Sequence, residues 1–442
     1  MLTFREIRQN NLDNFRASQT KFDFPECDII HSFNTIKFGF KNSFNPDENN
    51  TNRGVKEFCS FGRITFIRRI GKISFVKVRR GLDDIQLVLK KSDTVDIELQ
   101  NCLDLGDWVT FSGKIGFSST GEVSVFVTNY DIRQKCLEQL PEKYNGLSDK
   151  AVIYNQRYLD LITNKDSVDI FQQRANIIKK VRRYFDDLLE VETSTLQSQA
   201  SGAAAEPFKT HHHASGKDLH LRISPELNLK KLMVGNIHDR GVFEIGRSYR
   251  NEGLSTRHNF EFTMLEAYIF SVTQTVEEGF AEVLEYVTNF TKVFLGEERQ
   301  VVTWSFRDDW TETCNLLPPG NNENYFDEVI EPYLLEKHKN DILIVSHHRT
   351  SDSPLAKQLD ENHAARVEVY VNGIEIMNAY VEQNDPELQR KAFETQGCVD
   401  EDYLTALSCG MPQTLGIGIG IDRLVMATLN LLSIKDVILF PH

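Results

Sequence analysis

The sequence predicts an α+β chain, with a small β-barrel near the N-terminus followed by a larger domain built on an antiparallel sheet. Three stretches carry that expectation. Between Lys56 and Tyr130, short segments of alternating apolar and polar residues follow one another with a single helix-like interruption, the pattern of half-buried strands. From Val168 to Leu189, apolar residues recur at helical spacing. From Gly241 to Ile269, two period-two segments flank a polar loop, which reads as an antiparallel pair with a charged face.

Taken in order, residues 1 to about 20 suggest a short amphipathic helix. The Phe- and Asn-rich segment that continues through Arg53 reads as weakly structured. The strands KEFCSFGRITFI, KISFVKV and IQLVLK come next, then the helix-like DTVDIELQNCLDLG, then DWVTFSGKIGF and EVSVFVTNY. Three strands, a helix and two strands is the order of an OB-fold barrel. Such barrels bind single-stranded RNA by stacking bases on aromatic rings, with basic residues along the rim. Arg63, Arg68, Arg69, Lys72, Lys77, Arg79 and Arg80 crowd into the first two strands, although a run of charges is more often a solvated face.

The linker PEKYNGLSDKAVIYNQ leads through RYLDLITN to the helix Val168 to Leu189, for which Ser167 is the expected N-cap. Ile170, Phe171, Ile177, Ile178, Val181, Phe185 and Leu188 form its dry face. In the hairpin that starts at Gly241, alternation puts Arg250 and Glu252 on one face of the first strand and Phe262, Glu266 and Tyr268 on one face of the second. The loop Gly253 to Asn259 brings Arg257 and His258 into position to close over an anion. A charged sheet face inside a large chain is unfavourable unless something charged binds there.

A second hairpin runs from Val367 to Glu382 around Asn372-Gly373, the strongest short turn signal. A two-residue turn pairs Tyr370 with Glu375, so Glu368 and Glu375 are diagonal neighbours on one face. Two carboxylates so placed, with phosphate oxygens between them, suit Mg2+. Near the C-terminus Gly416, Gly418 and Gly420 alternate with isoleucines and precede Asp422 and Arg423. A strand with one bare face lets a ligand approach the backbone.

The 442 residues suffice for two or three domains, and 40% hydrophobic with 26% charged residues is an ordinary globular composition. MLTFREIRQNN lacks the apolar core of a signal peptide, and the apolar run after Leu415 is interrupted by Asp422 and Arg423. The expected setting is therefore the cytosol, with no membrane association. Seven cysteines without a C-x-x-C pair are expected to be free thiols. A formal net charge of −14 argues against indiscriminate nucleic-acid binding, so any RNA contact uses local basic patches. His211, His212 and His213 are consecutive, alternate faces if extended, and are not expected to hold zinc.

The string FEIGRSYRNEGLSTRHNFEFTMLEAY resembles motif 2 of the class II aminoacyl-tRNA synthetases, in the form used by lysine-tRNA ligases, and GIGIGIDRLVM resembles motif 3. RYLDLITN, LRISPELNLKKL and SPLAK are further matches, and the resemblance covers about Val55 to Pro441. It implies four parts: an extension, 1–54; an anticodon-binding OB barrel, 55–138; a linker, 139–166; and a class II catalytic domain on an antiparallel sheet, 167–442. The implied reaction is activation of lysine by ATP to lysyl-adenylate, then transfer to the 3′ end of tRNA(Lys).

By that resemblance, Arg250 meets the α-phosphate and Arg423 the γ-phosphate, where guanidinium forks suit phosphate better than a lysine. Phe262 stacks on adenine, Glu252 and His258 contact the nucleotide, and Glu368 and Glu375 hold Mg2+. Gly202, Glu226, Glu266, Tyr268, Asn378, Tyr380 and Glu382 surround lysine, whose ammonium meets Glu382 and the Tyr380 face. Phe75, Gln86 and Glu122 read the anticodon. Strict alternation sets Asn378, Tyr380 and Glu382 opposite Glu375, so a bulge is expected near Ile376-Met377. The helix Val168 to Leu189 belongs to motif 1, which implies a homodimer.

The chain departs from the family at Ser194, where proline is usual, at Glu206, where arginine is usual, at His348-Arg349 in place of Tyr-Pro, and at Val381 in place of serine. The segment between Tyr268 and Tyr325 is too short for the helical insertion of bacterial members, and there is no internal repeat or separate editing domain. Two other readings stay open: a paralogue that delivers lysine to a non-tRNA acceptor, and a non-catalytic regulator that kept the fold. Phe75, Gln86 and Glu122 favour tRNA over the first; Arg250, Glu368, Glu375 and Arg423 favour an enzyme over the second.

Overall fold

The computed structural model describes residues 3–19, 32–43, 53–141, 147, 149–199, 205–253, 255–318, 324–397 and 399–441. The chain forms two compact units, 1–169 and 170–442.

In the first unit, α1 (Phe4–Ser18) starts at a capping box between Thr3 and Glu6 and buries Leu12 and Phe15. The segment expected to be weakly structured contains a second helix, α2 (Phe33–Ser43). Phe33 is fully buried in the barrel core, so one apolar anchor orders a stretch whose composition looked unstructured; residues 20–31 and 44–52 lie outside the described residues. Strands β1 (Arg53–Ile70), β2 (Ile73–Arg80), β3 (Asp83–Lys90), β4 (Trp108–Phe117) and β5 (Val123–Gln134) close a barrel in the order β1-β2-β3-β5-β4. Val76, Val78, Ile85, Leu87, Phe111, Val125 and Val127 fill it, each from the inward phase of its strand.

The helix-like stretch between β3 and β4 is a 3-10 helix, Ile97–Cys102, rather than an α-helix. It begins at Asp96 in the left-handed region, at φ 55°, and six residues are too few for a self-sustaining α-helix. The stretch expected as linker also holds structure, α3 (Lys150–Asn155) and α4 (Arg157–Thr163). A buried pair, Arg157 to Asp160 at 2.9 Å, stitches α4 to itself.

Helix α5 (Lys165–Tyr184) starts two residues before Ser167 and stops before Leu189. Ser167 is buried and accepts from Asn164, while the Asn164 side-chain oxygen accepts the Asp166 N–H at 3.0 Å, so Asn164 meets the orphan donors. Val181 and Phe185 remain on the dry side.

The second unit holds β6 (Leu189–Glu190), β7 (Leu196–Gln197), β8 (Lys209–His212), β9 (Lys217–Leu221), α6 (Glu226–Val234), β10 (Gly241–Tyr249), β11 (Glu261–Phe270) and α7 (Val276–Leu295). It continues with β12 (Val301–Ser305), β13 (Ile342–Ser346), β14 (Arg366–Val371), β15 (Ile374–Val381) and β16 (Thr414–Gly420). Eight of these strands form one sheet, in the order β12-β13-β14-β15-β16-β11-β10-β6. The sheet is antiparallel through its middle, as expected, and mixed at its two edges, where β12 with β13 and β10 with β6 are parallel. The 36-residue excursion from β12 to β13 is long enough for the crossover that parallel pairing needs.

One sheet face is core. Leu265, Ala267, Ile269, Ile417, Ile419, Met377, Ala379 and Val381 pack there with Val283, Val287 and Phe290 of α7. Alternation therefore turns Glu266, Tyr268, Gly416, Gly418, Asn378 and Tyr380 to the opposite face. The β14–β15 turn has Asn372 at φ 53° and Gly373 at φ 71°, the geometry of a two-residue type I′ connection. Tyr370 pairs with Glu375 and Val369 with Met377, leaving Ile376 as an extra residue. The expected bulge is there, and it returns Glu375 to the face of Asn378 and Tyr380.

Candidate active site

Two cavities open on the polar face, of about 340 and 380 Å³. Arg250, Met264, Arg366, Asn378 and Gly418 line both, so the two adjoin along one wall. Arg250 and Glu252 lie past the end of β10, not within it as alternation suggested. The ladder nevertheless extends one step, since the Arg250 N–H donates to the Phe260 carbonyl at 2.9 Å. The Arg250 guanidinium lies over the Phe262 ring, 5.3 Å from its centroid, and its buried Nε has no acceptor among the described residues. A donor so placed has capacity for a ligand.

The larger cavity is lined by Arg250, Glu252, His258, Phe262, Glu368, Glu375 and Arg423. Arg423 stands in the first turn of the helix Ile421–Leu429 and donates to Glu375 Oε2 at 3.0 Å and to the Glu375 carbonyl at 3.1 Å. Its other terminal nitrogen lies 2.9 Å from His258 Nε2. Burial and the neighbouring Arg423 charge hold the His258 ring below its ordinary pKa, so it is neutral and able to accept that bond. Glu368 accepts from Arg366 at 2.5 Å and from the Tyr370 hydroxyl at 2.6 Å. Burial works to raise the Glu368 carboxyl, but His348 and Arg366 bring it below the usual range. Glu375 is held above that range by burial and by the Glu368 charge. Two such carboxylates in one cavity form an all-oxygen donor set of the kind hard divalent cations take.

The smaller cavity is lined by Ser224, Glu226, Glu266, Tyr268, Asn378, Tyr380 and Gly416, among others. Glu266 accepts from Ser224 Oγ at 2.7 Å and from the Tyr268 hydroxyl at 3.0 Å. Burial, with the Glu226 charge beside it, pushes its carboxyl up to about 7. The Tyr380 hydroxyl donates to Glu226 Oε1 at 2.9 Å. Glu382 lies behind Gly416, fully buried, with its Oε1 free of any hydrogen bond among the described residues. Burial holds the Glu382 carboxyl well above its usual range, against the pull of Lys230. Gly416 exists because of this neighbour: a Cβ there would overlap Glu382 Oε1, with Cδ at 2.8 Å and Tyr268 Cε1 at 3.2 Å.

Sequence reasoning missed two residues here. Lys230 is fully buried, with its Nζ 2.6 Å from Glu226 Oε1, against Glu382 Oε2, and 5.6 Å from the Tyr380 ring centroid. The Tyr380 face expected for a substrate ammonium thus already meets an internal one. Arg366 bonds Asn378 Oδ1 at 3.2 Å as well as Glu368; its position two residues before Glu368 on one strand face was the available signal. At the larger cavity, buried Asp422 accepts the Thr263 N–H at 2.7 Å and pairs with Arg174 of α5 at 2.8 Å.

Other expected positions fall as follows. Gly202 lies outside the described residues. Glu206 is exposed and its carbonyl accepts the Asn251 N–H, while Ser194 is exposed. His211 bonds Asp218 and His212 bonds Ser215. On the barrel, Phe75 is half-buried, out of phase with the core residues Val76 and Val78. Gln86 pairs across from Lys77 and donates to Ser124 at 2.9 Å, and Glu122 is exposed just before β5. Arg69 is committed to the Gln100 and Leu103 carbonyls, whereas Arg68 is exposed and registers with Phe75.

Residues 149–442 match the family described as tRNA synthetases class II (D, K and N), and residues 61–133 match the OB-fold nucleic acid binding domain. Fold and site together are those of a class II aminoacyl-tRNA synthetase behind an OB barrel. Among curated relatives, a lysine–tRNA ligase of Clostridium tetani is 35% identical, over 99% of this chain and 95% of that protein. Lysine–tRNA ligases of Thermoanaerobacter pseudethanolicus and Listeria monocytogenes are each 38% identical over 86% of this chain, covering 85% and 86% of their own lengths. The chain belongs to the lysine-tRNA ligase family of class II synthetases.

Proposed function

We propose that the chain activates lysine with ATP and passes the lysyl group to the 3′ end of tRNA(Lys), with both reactants meeting on the polar sheet face. One observation carries this: Arg250 stands on the wall shared by a phosphate-suited cavity and an acidic one. In that position a single guanidinium spans the α-phosphate and the attacking carboxylate, and holding the two in line is most of what nucleotidyl transfer asks of a protein.

ATP occupies the larger cavity on this reading. Arg423 takes the γ-phosphate, Phe262 stacks on adenine opposite Arg250, and Glu252 and His258 contact the nucleotide. Glu368 and Glu375 hold magnesium, which offsets phosphate charge when bound; the raised Glu375 carboxyl, next to Glu368, supports a cation there. Lysine occupies the smaller cavity. Glu226 and Glu266 hold its α-ammonium, Asn378 and Gly202 flank it, and Tyr268, Tyr380 and Glu382 receive its ε-ammonium. A neutral amino acid leaves Glu382 unpaired, which is the source of discrimination.

The barrel, 55–138, reads the anticodon through Phe75, Gln86 and Glu122, with exposed Arg68 as a rim cation. It follows the extension 1–54 and precedes the linker 139–166 and the catalytic domain 167–442. The protein works as a cytoplasmic homodimer through α5 and calls on no zinc. Among the described residues no helix is long and apolar enough to cross a membrane. Lysine-dependent exchange of pyrophosphate into ATP tests the first half-reaction and charging of purified tRNA the second; sedimentation tests the dimer. Absence of lysine-dependent exchange overturns the reading.

A further inference from the structure

Two carboxylates line the acidic cavity, Glu226 at the start of α6 and Glu266 on β11, and a third, Glu382 just after β15, stands behind its wall at Gly416; each is at most 6% exposed. Buried carboxylates without counter-charges take up protons instead of staying ionised. A bound lysine brings two ammonium groups, one at its α-carbon and one at its side-chain end. Two cations do not neutralise three anions. The third cation is Lys230, which touches Glu226 Oε1 at 2.6 Å and Glu382 Oε2 and, among the described residues, contacts neither Glu266 nor Glu382 Oε1. It thus bridges two of the carboxylates and leaves an open oxygen on the one expected to meet the substrate's side chain.

We infer that Lys230 is a positioning residue that sets the charge of this pocket, its own ammonium and two from the substrate matching three carboxylates. The inference rests on the acidic cavity being the lysine site. The groups that face Lys230 and Glu382 are Glu226 on α6, Glu266 and Tyr268 on β11, Tyr380 on β15, and Tyr403 on the helix Glu401–Ser408. The tyrosines are held neutral by burial, and Arg250, which lines the cavity and also acts on Glu266, is matched on this reading by the substrate's own carboxylate, so the remaining balance lies among the three glutamates and the ammonium groups. Without Lys230, the Glu382 carboxyl loses the pull that works against the proton favoured by its burial, and the substrate must displace that proton unaided.

The test is the pH profile of the lysine KM in pyrophosphate exchange, for the full-length protein. In the wild type, KM levels off above about pH 7.5, once Glu266 is ionised. In Lys230→Met, KM is at least roughly tenfold higher at pH 7.5 and keeps falling about tenfold per pH unit to pH 8.5, as for one extra titrating proton. The KM for ATP and kcat stay within about threefold. Lys230→Met/Glu226→Gln removes a cation and an anion together, and its profile levels off again above pH 7.5. If the single variant fails to fold, the double variant, which buries one carboxylate fewer, is assayed alone: a level profile is expected, and a sloping one overturns the count. A level profile in the single variant, a loss confined to kcat, or a sloping profile in the double variant overturns the charge count. A wild type with no lysine-dependent exchange overturns the underlying lysine reading, and so is distinguishable from those results.

Discussion

Replacing Gly416 with alanine perturbs the acidic pocket through one methyl group. The backbone at Gly416 is ordinary β-strand with no positive φ, so the substitution brings no conformational penalty of its own. Its effect is steric: the new Cβ overlaps Glu382 Oε1 and stands 2.8 Å from Cδ, against about 3.5 to 4.0 Å for comfortable carbon contact. The carboxylate has to retreat by more than an ångström, and it is fully buried between Lys230 and the strand. Separating a buried ion pair so that one partner is left uncompensated costs about 3 to 5 kcal/mol. At the low end, about 3 kcal/mol, this is roughly a hundredfold in lysine KM at 1.4 kcal/mol per tenfold. At about 2 to 4 °C per kcal/mol for a domain of this size, it is also a fall of roughly 6 to 12 °C in the thermal midpoint. Gly418→Ala is the control for packing, because its Cβ meets nothing closer than 3.6 Å, and its midpoint stays near that of the wild type. Steady-state pyrophosphate exchange at varied lysine, with calorimetry on the same samples, measures both effects. A Gly416→Ala protein with an unchanged lysine KM and midpoint refutes the placement of Glu382 behind the pocket wall.

Arg250→Ala removes one of the residues that line both cavities and is expected to abolish adenylate formation, by at least roughly a thousandfold in kcat/KM, while circular dichroism stays that of the wild type; near-normal exchange refutes its role. The Glu266 carboxyl, raised from 4.5 to about 7, makes the lysine KM fall about tenfold per unit up to about pH 6, more gently through pH 7, and level above about pH 7.5, because an ammonium needs the ionised form. The same shift makes the ligand-free protein lose stability as pH rises from about 4.5 to 7, since the folded state holds its proton longer than the unfolded one; melting curves across that window check the sign. Phe75→Ala, on the barrel surface, raises the KM for tRNA by roughly 5- to 150-fold, the worth of about 1 to 3 kcal/mol of base stacking, and leaves pyrophosphate exchange intact.

Much of the site was legible because strand chemistry is periodic. The hairpin at Asn372-Gly373, the pairing of Tyr370 with Glu375 and the displaced parity after Ile376 all follow from counting residues in twos, and the observed register agrees. The barrel order was readable for the same reason. Lys230 was not, because the two lysines of LNLKKL look alike in sequence; only the phase of α6 distinguishes buried Lys230, one turn after Glu226, from partly exposed Lys231, which reaches Asp402. The parallel edges of the sheet were equally hidden, since strand direction at an edge depends on where a long excursion returns and leaves no local mark. Helix α5 was misplaced at its start because Ser167 has the chemistry of a cap, yet Asn164 sits where the first free N–H groups point.

The extra residue at Ile376 has a consequence for how this strand tolerates change. Side chains on β15 are read out two at a time, and the bulge already holds one residue outside that count, so deleting Ile376 leaves Glu375 and Asn378 two positions apart and still on one face. Deleting Ala379, beyond the bulge, acts on the protein as a frameshift acts on a gene: Tyr380 and Glu382 would trade faces with Val381, sending polar groups into the α7 core and hydrocarbon onto the substrates' floor. The same one-residue loss is absorbed at Ile376 and misread along the rest of the strand.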